Sequence, residues 1–313
     1  MYTNPPSKTL LVTLADSNYI QHAKQLFSSV YWNAGWKGDY MLLAHEVPEA
    51  ELVWFRERGI LVRECTPIVR PTLAGVYPLS VLNKFYLFTP EFQKWENVLF
   101  IDPDIIVRYS LDDVAHVRGF HAHRDSTFLG VLQNQFAPGS FKNLDFNPNA
   151  PALNTGVMAF STDIIVESTF DAMLNMATRY ENISLYAEQS ILSLYFYGTW
   201  RHLSFLYNIF MPALIDRYHI APAHIDGPIL HFCGKDKPWN PGNFFYEEWK
   251  TNLDNAERID LQNRSLAVPR MLSVPRKLWL TSYFTAMKEF FDAYYFVDRQ
   301  IGRFGKFLRN YKN

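Results

Sequence analysis

The first hundred residues alternate short apolar runs with helix-length amphipathic stretches, and no other feature restricts the fold as much. Thr9 to Ala15 (TLLVTLA) is the β-rich apolar run that a strand buried on both faces requires. From about Tyr19 to Trp32, Ala23, Leu26, Phe27 and Val30 recur at spacings of three and four, which predicts a helix. Asp39 to Ala44 reads as a second strand. Pro48 opens a helix to Arg58, and Gly59 ends it. Ile60-Leu61-Val62 is a third strand, Pro78 opens a helix carrying Lys84, and Asn97 to Asp102 (NVLFID) is a fourth strand. This order predicts a parallel sheet with right-handed crossovers, and so an α/β fold.

With 313 residues the chain can bury a core without staples, and its 48% apolar and 19% charged fractions exclude disorder. A formal net charge of -1 argues against nucleic acid as a partner unless the charge is unevenly placed. Cys65 and Cys233 allow one disulfide at most and read as reduced thiols of a cytoplasmic protein. The start, Met1 to Asp16, lacks a signal-peptide layout, and there is no uninterrupted apolar stretch of about 18 residues to span a bilayer.

Further along, Val131 to Phe136 and Leu153 to Phe160 are expected as strands around a loop rich in Asn, Pro and Gly. Ser161 or Thr162 should cap a helix running to about Tyr180, and a second helix begins near Glu188. Tyr218 to Ala223 and Pro228 to Phe232 read as short strands, Tyr246 to Leu253 as a short helix, and Pro275 to Tyr311 as helical again.

Four segments carry chemistry. Phe100-Ile101-Asp102-Pro103-Asp104 ends a strand with two carboxylates one residue apart, which an extended backbone would project to the same side. Hard oxygen donors at the C-terminal edge of a parallel sheet suit Mg²⁺ or Mn²⁺ holding phosphates, although a turn or helix cap uses the same residues. His231 to Trp239 (HFCGKDKPW) combines an imidazole, a glycine and two lysines, the parts of a metal–diphosphate site or of a surface loop. In Leu153-Asn154-Thr155-Gly156 an amide stands beside a glycine that permits close approach, as in a ligand site or a bulged strand. Ala15-Asp16-Ser17-Asn18-Tyr19 occupies a strand-to-helix turn, a usual nucleotide position and also a simple helix cap.

In their order along Thr9 to Trp239, ADSNY, Lys84 in LNKFYLF, FIDPD, LNTGVMAFS, EQS and HFCGKDKPW resemble glycosyltransferase family 8, the retaining transferases of the glycogenin and lipooligosaccharide galactosyltransferase type. The resemblance implies a GT-A-type, Rossmann-like catalytic domain with a mixed central sheet at 1–255, its nucleotide-sugar half at about 1–110 and its acceptor half at about 111–255. A C-terminal helical segment at 256–313 would follow. It implies transfer of a hexose from UDP-glucose or UDP-galactose to a glycan, lipid-linked or protein acceptor. Mn²⁺, with Mg²⁺ as the alternative, would be held by Asp102, Asp104 and His231. Gly234 and Lys237 would meet the diphosphate, Lys84 a phosphate or sugar oxygen, and Leu14, Ala15, Asp16 and Tyr19 the uridine. Asp104 would also reach the ribose. Asn154, with Thr155 and Gly156 beside it, and Gln189 would face the donor sugar. Where the family frequently has Asp-Gln this chain has Glu188-Gln189, one methylene longer, which leaves Glu188 a candidate helper and not an assigned nucleophile. Loops 136–150 and 208–216 are expected at the acceptor. A metal-dependent hydrolase or nucleotidyltransferase on nucleotide-sugars, and a non-catalytic glycan-binding protein on the same fold, are the alternatives.

Residues 276–313 hold eight Lys/Arg and three Asp/Glu, a local balance of +5, so the remainder lies near -6 within the total of -1. They also hold eleven aromatics. Such a segment either docks on an anionic membrane surface, at the inner face of the membrane for a cytoplasmic protein, or packs as a helix on the catalytic body.

Overall fold

The computed structural model describes residues 8–126, 130–143, 145–262 and 267–310, the backbone alone at 142–143 and 295–310. Strand β1 (Thr9–Ala15) is buried throughout. Leu10, Val12 and Leu14 feed the core on one side of the sheet, and Leu11 and Ala15 the core on the other, as a strand's alternation demands. Buried Thr13 donates its hydroxyl to the Ile101 carbonyl at 2.7 Å. After a 3₁₀ turn, Ser17–Tyr19, come α1 (Ile20–Ser29), β2 (Asp39–His45), α2 (Glu49–Glu57), β3 (Leu61–Cys65) and α3 (Pro71–Ala74). The expected helix around Lys84 is a ten-residue 3₁₀ helix, Leu79–Phe88, which leads to β4 (Asn97–Ile101). Then follow β5 (Ile105–Val107), α4 (Asp112–Ala115), β6 (Phe120–Arg124), β7 (Leu153–Ser161), α5 (Thr169–Tyr180) and α6 (Ala187–Tyr195). The chain closes with β8 (Arg201–His202), β9 (Ile209–Phe210), β10 (Ile229–His231), α7 (Tyr246–Asn255) and α8 (Val274–Asn310).

The main sheet runs β3-β2-β1-β4-β7-β6-β8. Its first four strands are parallel, as the sequence rhythm predicts, whereas β7 runs antiparallel to both β4 and β6 and makes the sheet mixed. The chain moves outward from β1 to β3 and then returns to lay β4 on the other side of β1. The crevice at the C-terminal ends of β1 and β4 is therefore a topological switch point, where open α/β sheets bind ligands. A small sheet, β5-β10-β9, stands beside it and carries His231 at the end of β10.

Three expectations fail. Val131 to Phe136 is not a strand: Leu132–Gln135 is a 3₁₀ turn between isolated bridges at Val131 and Phe136. Leu132 and Phe136, four apart, are buried in the same core, a spacing that a helical turn and a strand share, so pattern does not separate the two here. Tyr218 to Ala223 is not a strand either, because His219 takes a positive φ of 48° and Pro222 opens a 3₁₀ turn. The helix expected from Ser161 or Thr162 starts only at Thr169: after a short turn, Ile165 is extended, in keeping with the helix-averse run Ile164-Ile165-Val166.

Helix α8 lays Leu280 and Phe284 into the core of the body, with Tyr283, Met287 and Phe291 half-buried around them. Among the described side chains, Arg276 pairs with Asp226 and Lys277 with Asp113 of the body, and Lys288 with Asp292 one turn along the helix itself. Leu278, Trp279, Phe290 and Tyr294 of the same helix are exposed. The later aromatic and basic side chains of this segment, from Tyr295 on, lie outside the described residues, as does the backbone of 311–313. Among the described residues no helix is long and apolar enough to cross a membrane.

Candidate active site

At the switch point β4 ends and the chain turns, so Asp102 and Asp104 converge through a bend at Pro103 and not through an extended backbone. The Asp102 N–H donates to the Gly156 carbonyl on β7 at 2.8 Å, which fixes where the bend begins. β10 brings His231 to the same point through its antiparallel pairing with β5. One ligand atom each from Asp102, Asp104 and His231 lies within 4.8 Å of the others. Gly156 makes this possible: a Cβ there would sit 2.2 Å from Cε1 of His231. Two carboxylates and an imidazole are the hard-to-borderline donor set that Mn²⁺ or Mg²⁺ accepts, and three protein ligands leave an octahedral ion positions for outside oxygens.

Two lysines flank the carboxylates. Lys84 Nζ lies 2.9 Å from Asp102 and 3.0 Å from Glu188. Its ammonium is thus shared by two carboxylates, and all three side chains line the same cleft. Burial alone would push Lys84 down, but Asp102 and Glu188 outweigh it and hold the ammonium above the usual lysine range. Burial, with Asp104 adding to it against Lys84, raises Asp102. On the other side Lys237 Nζ donates to Asp104 at 2.5 Å and to the Phe232 carbonyl at 2.7 Å. Burial would raise Asp104, yet His231 and Lys237 prevail and hold it far below the carboxylate range.

All the sequence-predicted site residues line one cleft of about 660 Å³. From the end of β1, Leu14 and Ala15 form its floor, and Asp16 caps the 3₁₀ turn by accepting from Asn18 N–H at 3.0 Å and from the Ser80 hydroxyl at 3.2 Å. Tyr19 meets Trp239 edge-on, and Trp239 stacks on His22 at 3.6 Å, which clamps the segment carrying Lys237 onto α1. Gly234, at a φ of 114°, gives that segment a turn that a side chain would strain. At the opposite end Gln189 Oε1 accepts from the Asn154 amide at 3.2 Å. Ala187, at a positive φ of 44°, starts the helix that presents Glu188 and Gln189. The extra methylene of Glu188 is spent on Lys84 and on the Thr155 hydroxyl, which donates to it at 2.9 Å.

The sequence pattern described as Glycosyl transferase family 8 matches residues 11–242. The chain belongs to glycosyltransferase family 8. Among its relatives, the glycosyltransferase GlyF of Streptococcus pneumoniae is 24% identical over 249 residues, 74% of this chain and 57% of that protein. Galactinol synthase 5 of Arabidopsis thaliana is 23% identical over 232 residues, 68% of this family 8 chain and 66% of its own. The match thus takes in less than two thirds of either relative. The solved galactosyltransferase LgtC with donor and acceptor sugar analogues shares the fold, with a TM-score of 0.61 at 18% identity, covering 79% of this chain and 95% of that one. The family 8 chain therefore has the expected GT-A fold.

Some lining residues carry no sequence signal. Asp125, Tyr77, Tyr186 and Phe210 join the cleft from segments without a motif. Asn208, in one of the loops expected at the acceptor, bonds His231 Nδ1 at 2.8 Å. Pro212 of the same loop does reach the cleft. In the other loop, 136–150, residue 144 lies outside the described residues, and 136–139, Phe141 and Pro148 line a separate hollow that touches the cleft at Tyr186.

Proposed function

We propose that this family 8 protein moves a hexose from a UDP-sugar to a glycan, lipid-linked or protein acceptor with retention of configuration, using Mn²⁺ held by Asp102, Asp104 and His231. The observation that carries the reading is the convergence of these three donors beside Lys237, at the sheet's switch point. A bound divalent ion would neutralise the charge that a diphosphate gains as the anomeric C–O bond breaks. Lys237 adds a cation on the same side, and the Gly234 turn keeps it there. Asp16 and Tyr19 fit the uridine end. Asn154 and Gln189 offer amide dipoles to a sugar that becomes oxocarbenium-like. Glu188 acts through Lys84 and Thr155, which positions the floor of the sugar site.

A thermal-shift screen of UDP-sugars with Mn²⁺ or with EDTA tests donor binding, since a ligand of the native state raises the midpoint. The expected result is a metal-dependent rise with UDP-glucose or UDP-galactose, followed by sugar transfer when acceptors are added. Release of UMP and sugar 1-phosphate, or UDP binding indifferent to metal, would overturn the reading.

A further inference from the structure

A histidine can hold a cation only through a ring nitrogen that carries no hydrogen. In His231, Nε2 faces Asp104 at 3.5 Å, and Nδ1 faces the Asn208 oxygen at 2.8 Å. Asn208 is fully buried on the link between the 3₁₀ turn Phe205–Tyr207 and β9. Its orientation is set from a distance. The Gly156 backbone N–H can only donate, and it reaches Oδ1 of Asn154 at 3.0 Å, which fixes that amide. The same oxygen lies 3.0 Å from Nδ2 of Asn208. Asn208 must therefore turn its NH₂ to Asn154 and its oxygen to His231. Reversing it would press two buried amide oxygens together. The Asn208 oxygen at 2.8 Å from Nδ1 takes the hydrogen in preference to the Asp104 oxygen 3.5 Å from Nε2, and a neutral imidazole has only one, so Nε2 is left bare toward the Asp102–Asp104 turn.

We propose that Asn208 is a positioning residue for the metal centre, holding His231 as its Nδ1–H tautomer through an amide relay anchored on the Gly156 backbone. The proposal rests on reading Asp102, Asp104 and His231 as metal ligands, but the tautomer can be measured without any metal. Histidine ¹⁵N NMR of the metal-free chain, with the signal assigned by its loss in His231→Gln, should report hydrogen on Nδ1. Mn²⁺ titration followed by electron paramagnetic resonance should show Asn208→Ala binding the ion about 10–100-fold more weakly, the usual loss when such a partner is removed. Asn97→Ala removes a buried amide that bonds the Val117 carbonyl. It should lower the melting midpoint and leave Mn²⁺ affinity intact, which separates positioning from general destabilisation. Hydrogen on Nε2 and not on Nδ1 in the wild type, at a pH where the ring is neutral, or unchanged Mn²⁺ affinity in folded Asn208→Ala, would overturn the proposal. If Asn208→Ala does not fold, the wild-type tautomer decides alone. A wild type that binds no Mn²⁺ would overturn the metal reading itself, a failure distinct from a wrong tautomer.

Discussion

Asp102 and Asp104 are separated by one proline, yet they face opposite surroundings. Asp102 leans on Lys84, whose side chain is 5% exposed and is shared with Glu188. Asp104 leans on His231 and on Lys237, which is 16% exposed and belongs to the segment clamped by Trp239. The first setting is a buried ion cluster that locks the 3₁₀ helix, β4 and α6 together. Both line the cleft, but the second hangs on the turn after β10, held by the Trp239 clamp and not by a second carboxylate. Removing charge from the first should unsettle the fold, whereas removing it from the second should unsettle the chemistry.

Lys84→Met should show the largest effect on stability. It strips Asp102 and Glu188 of their buried counter-charge, and losing one partner of such a cluster costs about 3–5 kcal/mol. Chemical denaturation would measure it, and a variant as stable as the wild type would break the comparison. His231→Ala should lower transfer by about 10²-fold or more, the scale of losing a preorganised charge-stabilising contact. It should destabilise less than Lys84→Met; a larger loss would mean that His231 is mainly a core residue. The smallest effect concerns pH. Burial pushes His22, under the Trp239 clamp, down from 6.5 to about 4. Between those values the unfolded chain binds the proton that the native one refuses, so stability is full above pH 6.5 and falls as pH drops toward 4. His22→Phe should flatten the melting midpoint over that window, and an unchanged slope would place the titration elsewhere, for example at His123, which burial likewise lowers to about 4.

Much of this is legible in local pattern. The spacing of Ala23, Leu26 and Phe27 marks α1, and TLLVTLA and NVLFI mark two central strands, because burial on both faces needs continuous apolar runs. Segments with mixed signals mislead: the spacing of Leu132 and Phe136 suits a strand as well as the 3₁₀ turn that forms, and Pro222 opens a turn where Tyr218 to Ala223 reads as a strand. The motif residues of the cleft are readable because their types suit a metal–diphosphate site, and the same order along the chain gives the family resemblance.

Sequence by itself determined which strands form the first half of the sheet and which side chains could serve a metal and a nucleotide. Only the tertiary structure decided which partner each of them takes. Lys84 meets Glu188, Gly156 yields space to His231, and Asn208 turns its oxygen to that ring. The reason is physical: each contact depends on the register between β4, β7 and β10 and on the entry of α6, and short-range periodicity carries no record of how distant strands align.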